Sequence, residues 1–501
     1  MKLLGLDVGT TGCKAIIFDV EGRIVGQAFR EYDVVCDASG KAEQDAERVW
    51  SLTKEALREA TAKAGPKGIR ALSVSVQGDA IIPVDRNFRA LHPAILGMDY
   101  RSAPQAEQCA KILGAVALFE RTGMRPHPIN ALTKVLLLRE MAPEVFGRTA
   151  KIATYEDYIL GKLGGEATID YTMASRTMAF ELDSRQWSDT IHEAFGLDKA
   201  IWSNPVPSGT AIGRIRSAIA EELGLPADLM LVTGGHDQTC AALGAGAIRE
   251  GLGVVSTGTA EVLSTSLARP VLSAAMFQSF YPCYLHAKDA MYFTFSLNHI
   301  GGILLQWWRD NFADRETTEA VKGAGSAYQL MEAHMPAGPS PVMFLPHLNG
   351  SGTPTCDLHS KGAVVGLTLA TTRHDVAKAI LEGLAFELRN NLEAMLSCGM
   401  HIEELVAVGG GAKSAVWLQL KADILNRPLR TLRCREAACL GAALLAGAAA
   451  GVYRNLEEAV AQTVQFEREF VPLPDHVAVY SERYATYQQL YPSLRALHSK
   501  L

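Results

Sequence analysis

The chain has 501 residues, 48% hydrophobic and 20% charged, with 44 glycines. At about 150 residues per domain, that length fits two large domains or three ordinary ones, each with a full hydrophobic core. The composition excludes disordered and fibrous classes. A formal charge of −6 excludes the chain-wide positive field that nucleic acid or an anionic membrane surface would need. The nine cysteines are odd in number, scattered and never spaced Cys-x-x-Cys. That argues against a disulfide framework or a thiolate zinc site and for reduced thiols in a cytoplasmic protein.

The first residues already read as a core strand, with no signal peptide ahead of it: Leu3–Val8 is apolar and ends in Gly9-Thr10-Thr11-Gly12. Cys13–Asp19 alternates, Glu21-Gly22 turns the chain, and Ile24–Tyr32 resumes as a third strand. A helix follows from about Asp45 to Ala64. After it, the buried strand Ala71–Val76 runs into Gln77-Gly78-Asp79. Strands alternating with helices of this length predict an α/β architecture with helices covering a sheet.

Mid-chain, Gly251–Ser256 runs into Thr257-Gly258-Thr259 and continues as Ala260–Ser266, a weaker copy of the opening strand–hairpin–strand. Two related lobes are expected, 1–247 and 248–501, each presenting a Gly/Thr hairpin. A third glycine turn, Gly409-Gly410-Gly411, follows the strand Leu405–Val408 and precedes the helix Ala415–Leu425. The apolar run Ala437–Val452 is too short and too rich in Ala and Gly to span a bilayer, and reads as a buried helix in close contact with a neighbour. Ser499-Lys500-Leu501 spells a peroxisomal address that only eukaryotes read, and a three-residue match arises easily by chance.

Asp7-Val8-Gly9-Thr10-Thr11-Gly12 offers backbone N–H groups, two hydroxyls and the nearby Lys14 to a phosphate, while Asp7 suits Mg²⁺ held through water. The same residues serve equally well as a plain hairpin turn. Gly411-Ala412-Lys413-Ser414 lacks the glycine of a Walker A loop, and no Gly-x-Gly-x-x-Gly opens a helix. Gly234-Gly235-His236-Asp237-Gln238 follows the strand Leu229–Val232, where α/β folds place ligands. Asp237 there either accepts a proton from a substrate hydroxyl or caps the helix that follows. Gln77, Gly78, Asp79, Asp99 and Arg101 suit a polyhydroxylated ligand or ordinary turn chemistry. His236 reads as hydrogen-bonded rather than metal-bound, and Trp307-Trp308 as core rather than a stacking platform.

Taken in order and at their spacings, these segments resemble the FGGY carbohydrate kinases. The resemblance runs nearly end to end through Asp7–Gly12, Gln77-Gly78, Asp99 with Arg101, Tyr155–Gly161, Gly234–Gln238, Gly258-Thr259, Gly302–Asp310, Gly409–Asp423 and Glu436–Gly447. It implies two ribonuclease-H-like lobes of the actin-like ATPase architecture around a cleft. Asp237 then matches the catalytic base and Asp7 the Mg²⁺-associated aspartate. Thr10, Thr11, Gly12 and Lys14 match the first phosphate loop and Thr259 the second. Gly302, Gln306, Gly410 and Gly411 match nucleotide contacts, and Gln77, Gly78, Asp79, Asp99 and Gln238 the sugar side. A homodimer is also implied.

The motif Gln77-Gly78-Asp79-Ala80 differs from the Gln-Met-His-Gly of xylulokinase, and Ile129 stands where glycerol kinase carries a tyrosine. The expected reaction is transfer of the γ-phosphoryl of ATP to a small ketose, polyol or sugar acid, in the manner of a xylulokinase-like pentulose kinase. A catalytically silent actin-like protein and a sugar sensor are the alternatives. The first gives no reason for Gly234–Gln238 or the sugar-side motifs, and retention of Asp7, Lys14 and Asp237 argues against the second.

Overall fold

In the computed structural model, residues 1–323 and 325–500 are described. The Leu501 of the terminal tripeptide lies outside them. The first half opens with β1 (Lys2–Val8), β2 (Gly12–Asp19) and β3 (Ile24–Glu31), then α1 (Ala46–Ala64) and β4 (Ile69–Val76). Asp45 starts α1 by accepting N–H bonds from Glu47 and Arg48, satisfying donors the first turn leaves free. After a long stretch of short elements come β5 (Ala211–Arg214), β6 (Met230–His236) and α2 (Asp237–Gly244). These strands form one sheet in the order β5-β6-β4-β1-β2-β3, with β1, β4 and β6 parallel.

The second half repeats the plan. It contains β7 (Gly251–Thr257), β8 (Glu261–Leu267), the short β9 (Tyr284–Leu285), β10 (Tyr292–Asn298), α3 (Gly302–Phe312), α4 (Arg373–Ser397), β11 (Ile402–Gly409), α5 (Ala415–Leu425), β12 (Leu429–Leu432), α6 (Ala437–Ala449) and β13 (Phe466–Phe470). The sheet order is β9-β10-β8-β7-β11-β12-β13, with β7, β11 and β12 parallel. Strands β1-β2-β3-β4-β6 and β7-β8-β10-β11-β12 thus have the same order and directions. This is the doubled ribonuclease-H-like plan of the actin-like ATPases. Each copy has a tight hairpin after its first parallel strand.

The second half also builds part of the first lobe. Helix α6 lies on β1, β4 and β6 and crosses α2. The approach is close enough that a Cβ on Gly5 would stand 1.9 Å from the Cys439 carbonyl oxygen. No side chain fits there, which accounts for the Ala/Gly composition of the 437–452 run. Segment 277–285 docks on the first half as well: Cys283 N–H donates to the Gly123 carbonyl at 3.0 Å, and Leu285 N–H to Ser175 Oγ at 3.3 Å. All nine cysteines are free thiols. Among the described residues no helix is long and apolar enough to cross a membrane.

Candidate active site

The hairpin between β1 and β2 has its carbonyls tied back and its amides free. The Gly9 carbonyl accepts from the Tyr32 hydroxyl at 2.8 Å and from Gln77 Nε2 at 3.2 Å. The Thr10 carbonyl accepts from Gln44 Nε2 at 2.9 Å, and that of Thr11 from Tyr32 N–H at 3.1 Å. Among the described residues no group accepts from the N–H of Thr10 or Thr11. Unpaired amides at a tight turn form an anion-binding concavity.

The hairpin between β7 and β8 repeats this arrangement. The carbonyls of Gly258, Thr259 and Ala260 accept from Gly302, Gly301 and Gly258 at 2.7, 2.8 and 3.0 Å, while the N–H groups of Thr259 and Ala260 have no partner among the described residues. Glycine allows the crowding here. A Cβ on Gly302 would lie 2.7 Å from the Gly258 carbonyl oxygen, and one on Gly411 2.6 Å from Thr257 Cβ. The turns at 301–302 and 409–411 therefore converge on the second hairpin. Gln306 and Gly410 are exposed. Trp308 is buried and Trp307 is 40% exposed, so only one of the pair joins the core.

Behind the second hairpin, Lys421 Nζ donates to Glu261 Oε1 at 2.6 Å and to Thr257 Oγ1 at 2.8 Å. Both charged side chains are almost fully buried. Near the first hairpin, Lys14 Nζ pairs with Glu436 at 2.7 Å, just ahead of α6. The lysine matched to a phosphate thus has a carboxylate partner supplied by the other half.

Asp7 faces Lys14 across the β1–β2 ladder. Its Oδ1 accepts from Ser75 Oγ at 2.7 Å, and burial raises its pKa against that hydrogen bond. No group of three His, Cys, Asp or Glu side chains among the described residues is placed to hold a metal. One part-buried carboxylate with a free oxygen beside a phosphate loop suits Mg²⁺ that keeps most of its waters and takes phosphate oxygens.

Asp237 is the first residue of α2. His236 occupies the cap position, and no side-chain cap bond forms, so capping does not explain the aspartate. Its carboxylate lies 3.1 Å from His236 Nε2, with the side chain 35% exposed to the cleft. His236 is buried, its Nδ1 is 2.9 Å from the Tyr284 hydroxyl, and burial together with Arg176 holds it neutral. The neutral imidazole is hydrogen-bonded through Nδ1 to the Tyr284 hydroxyl, while Nε2 and the Asp237 carboxylate are close neighbours that do not form a hydrogen bond. Burial, reinforced by the charge of Asp7, pushes the Asp237 carboxyl up to about 7.

Gly78 makes room for this relay, since a Cβ there would stand 2.6 Å from His236 Nε2. Asp79 takes a positive φ of 67° and is ion-paired in the interior with Arg176. The fully buried Lys134 donates to the carbonyls of Asp79 and Ile129. Gln77 braces the first hairpin, also accepting from Thr10 Oγ1 at 3.1 Å. Asp99 is completely buried, with its oxygens taken by Ala42 N–H and Arg101, so it stands behind the site rather than in its wall. Gln238 lies part-buried beside Asp237. Arg176, Lys134, Tyr284 and Lys421 went unnoticed in the sequence. Each acts through a partner distant in the chain, and no local spacing marks such a pairing.

Twin anion-binding hairpins in duplicated ribonuclease-H-like lobes, with a carboxylate of raised pKa in the cleft, define a phosphotransferase of the actin-like class. Residues 2–244 match the N-terminal domain of the FGGY family of carbohydrate kinases, and residues 253–450 its C-terminal domain. The chain belongs to that family, whose kinases use ATP. It is 28% identical over 501 residues to the xylulose kinase of Bacillus subtilis, covering 100% of this chain and 98% of the relative. It is 29% identical over 507 residues to the autoinducer-2 kinase of Klebsiella pneumoniae, covering 98% and 93%. The gluconate kinase structure from Lactobacillus acidophilus superposes with a TM-score of 0.90 at 26% identity, covering 100% of this chain and 99% of the other.

Proposed function

We propose that this carbohydrate kinase transfers the γ-phosphoryl of ATP to a hydroxyl of a small ketose, polyol or sugar acid, with Asp237 as general base. The observation that carries the reading is the pair of hairpins whose carbonyls are engaged while the amides of Thr10 and Thr11, and of Thr259 and Ala260, are without partners among the described residues. Two such cradles can spread the charge of a triphosphate, and phosphoryl transfer depends mainly on positioning and charge neutralisation. Thr10, Thr11, Gly12 and Lys14 hold phosphate from the first lobe and Thr259 from the second. Gly302, Gln306, Gly410 and Gly411 line the nucleoside side, and the lobes divide near residue 247. Mg²⁺ beside Asp7 would neutralise phosphate charge. Asp237 takes the proton of the attacking hydroxyl while His236 and Tyr284 hold the carboxylate in line. Gln77, Gly78, Asp79 and Gln238 shape the acceptor side.

A xylulokinase-like pentulose kinase agrees with the Bacillus relative. Xylulose, autoinducer-2 and gluconate kinases nonetheless stand at similar identities, so likeness alone does not choose the acceptor. The test is ADP release with Mg-ATP across a panel of ketoses, polyols and sugar acids. Acceptor-dependent release is expected. Equal release with and without acceptor, or tight acceptor binding without release, would each overturn the reading.

A further inference from the structure

Between the lobes, next to the relay, lies a cavity of about 230 Å³. Arg176 and Phe295 belong both to its wall and to the surroundings of the base: the Arg176 charge acts on Asp237, and the Phe295 ring stands 6.4 Å from that of His236. Much of the remaining wall is aromatic and aliphatic. Of its two guanidinium groups, Arg176 is ion-paired with Asp79. Arg125 has no carboxylate partner among the described residues. Its guanidinium carbon lies over the rings of Phe280 and Phe277, at 3.9 and 4.5 Å to the centroids, and one N–H group goes to the Phe277 carbonyl at 3.0 Å.

That environment gives Arg125 a specific chemistry. Rings over a guanidinium face displace water there, while its N–H donors project in the plane, in the fork that matches a carboxylate. His127, beside it in the wall, has its pKa pushed down to about 4 by burial and by Lys134, so it offers a hydrogen bond and no competing charge. A part-buried cation in a largely apolar wall is left for the ligand to balance.

We infer that the acceptor is a sugar acid whose carboxylate is received by Arg125 while one of its hydroxyls is presented to Asp237. This rests on the kinase reading above and narrows its substrate class. Arg125 is the specificity-determining residue. It meets the end of the acceptor that does not react, and the aromatic wall strengthens the ion pair by excluding water.

The test compares D-gluconate with D-glucitol, which share a carbon skeleton and differ in the carboxylate, by steady-state ADP release and by calorimetric binding. A charged hydrogen-bonded contact predicts a kcat/KM for the acid about 10- to 100-fold above that for the alditol. In Arg125→Gln that ratio should fall to near one, and Arg125→Lys should restore part of it. A thermal melt of each variant separates loss of selectivity from loss of fold. Equal use of acid and alditol, or an unchanged ratio in a folded Arg125→Gln, overturns the inference and leaves the kinase reading standing. If no acceptor on the full panel releases ADP while gluconate still binds, the kinase reading fails and the carboxylate site survives as a binding site.

Discussion

At the crossing of α2 and α6, the Cys240 carbonyl oxygen lies where the Cβ of any residue but glycine at position 441 would be, 1.9 Å away. The contact is reciprocal, for a Cβ on Gly244 would meet the Ala437 carbonyl oxygen at the same distance. Neither obstacle is a flexible side-chain tip, so the two helices would have to separate. Helix α2 begins with Asp237, and any separation is transmitted to the base.

Gly441→Ala is therefore expected to destabilise the protein. Alanine gains about 1 kcal/mol of helix propensity over glycine, while overpacking against fixed backbone costs about 1–3 kcal/mol and sometimes more. Thermal denaturation should show a lower midpoint, with kcat reduced in whatever fraction folds. A midpoint at or above that of the parent would mean the helices can part freely.

Activity should fall as pH drops below about 7, the value to which the Asp237 carboxyl is raised. The sign follows from the role: a protonated carboxyl cannot accept the proton of the attacking hydroxyl. On the acid side, kcat/KM should decline about tenfold per pH unit. Asp237→Asn should keep acceptor binding by calorimetry and lose nearly all turnover. A flat profile from pH 5 to 8 would remove this carboxylate from the rate equation.

Tyr284→Phe tests whether the relay positions the base. Removing the hydroxyl leaves His236 Nδ1 without its hydrogen-bond partner and frees the ring beside Asp237 to turn. One neutral hydrogen bond predicts a loss of about two- to tenfold in kcat, with KM for the acceptor little changed. An unaltered kcat would reduce Tyr284 to packing.

The buried Lys421–Glu261 pair predicts strong non-additivity. Lys421→Met strands a buried carboxylate, one of whose oxygens has no partner to begin with. It should cost about 3–5 kcal/mol and raise KM for ATP, because Thr257 and the second hairpin lose their anchor. Adding Glu261→Gln should recover much of the stability. Additive losses in denaturant titrations would contradict the pairing.

The repeated local elements are legible in the sequence because their signals are local. Glycine pairs mark the hairpins, and Ser414 caps a helix whose observed span, Ala415–Leu425, is the one expected. The small-residue run at 437–452 announces a close contact but not its partner, which proves to be the sheet of the other half. Asp237 and Gln77 could be singled out beside strand ends. Arg176 could not, since its identity as the partner of Asp79 depends on a pairing across 97 residues. Asp99 shows the converse, a carboxylate buried for internal bonding whose spelling alone resembles a ligand contact.

Tyr284 reaches His236, beside the proposed base Asp237, from the half of the chain that carries the second hairpin, and this limits how such enzymes can recombine. A hybrid joining the front of this kinase to the back of a relative with another residue at that position would inherit intact phosphate cradles and a misaligned carboxylate. Exchange of acceptor specificity by shuffling halves should then succeed only when residues 236 and 284 travel together.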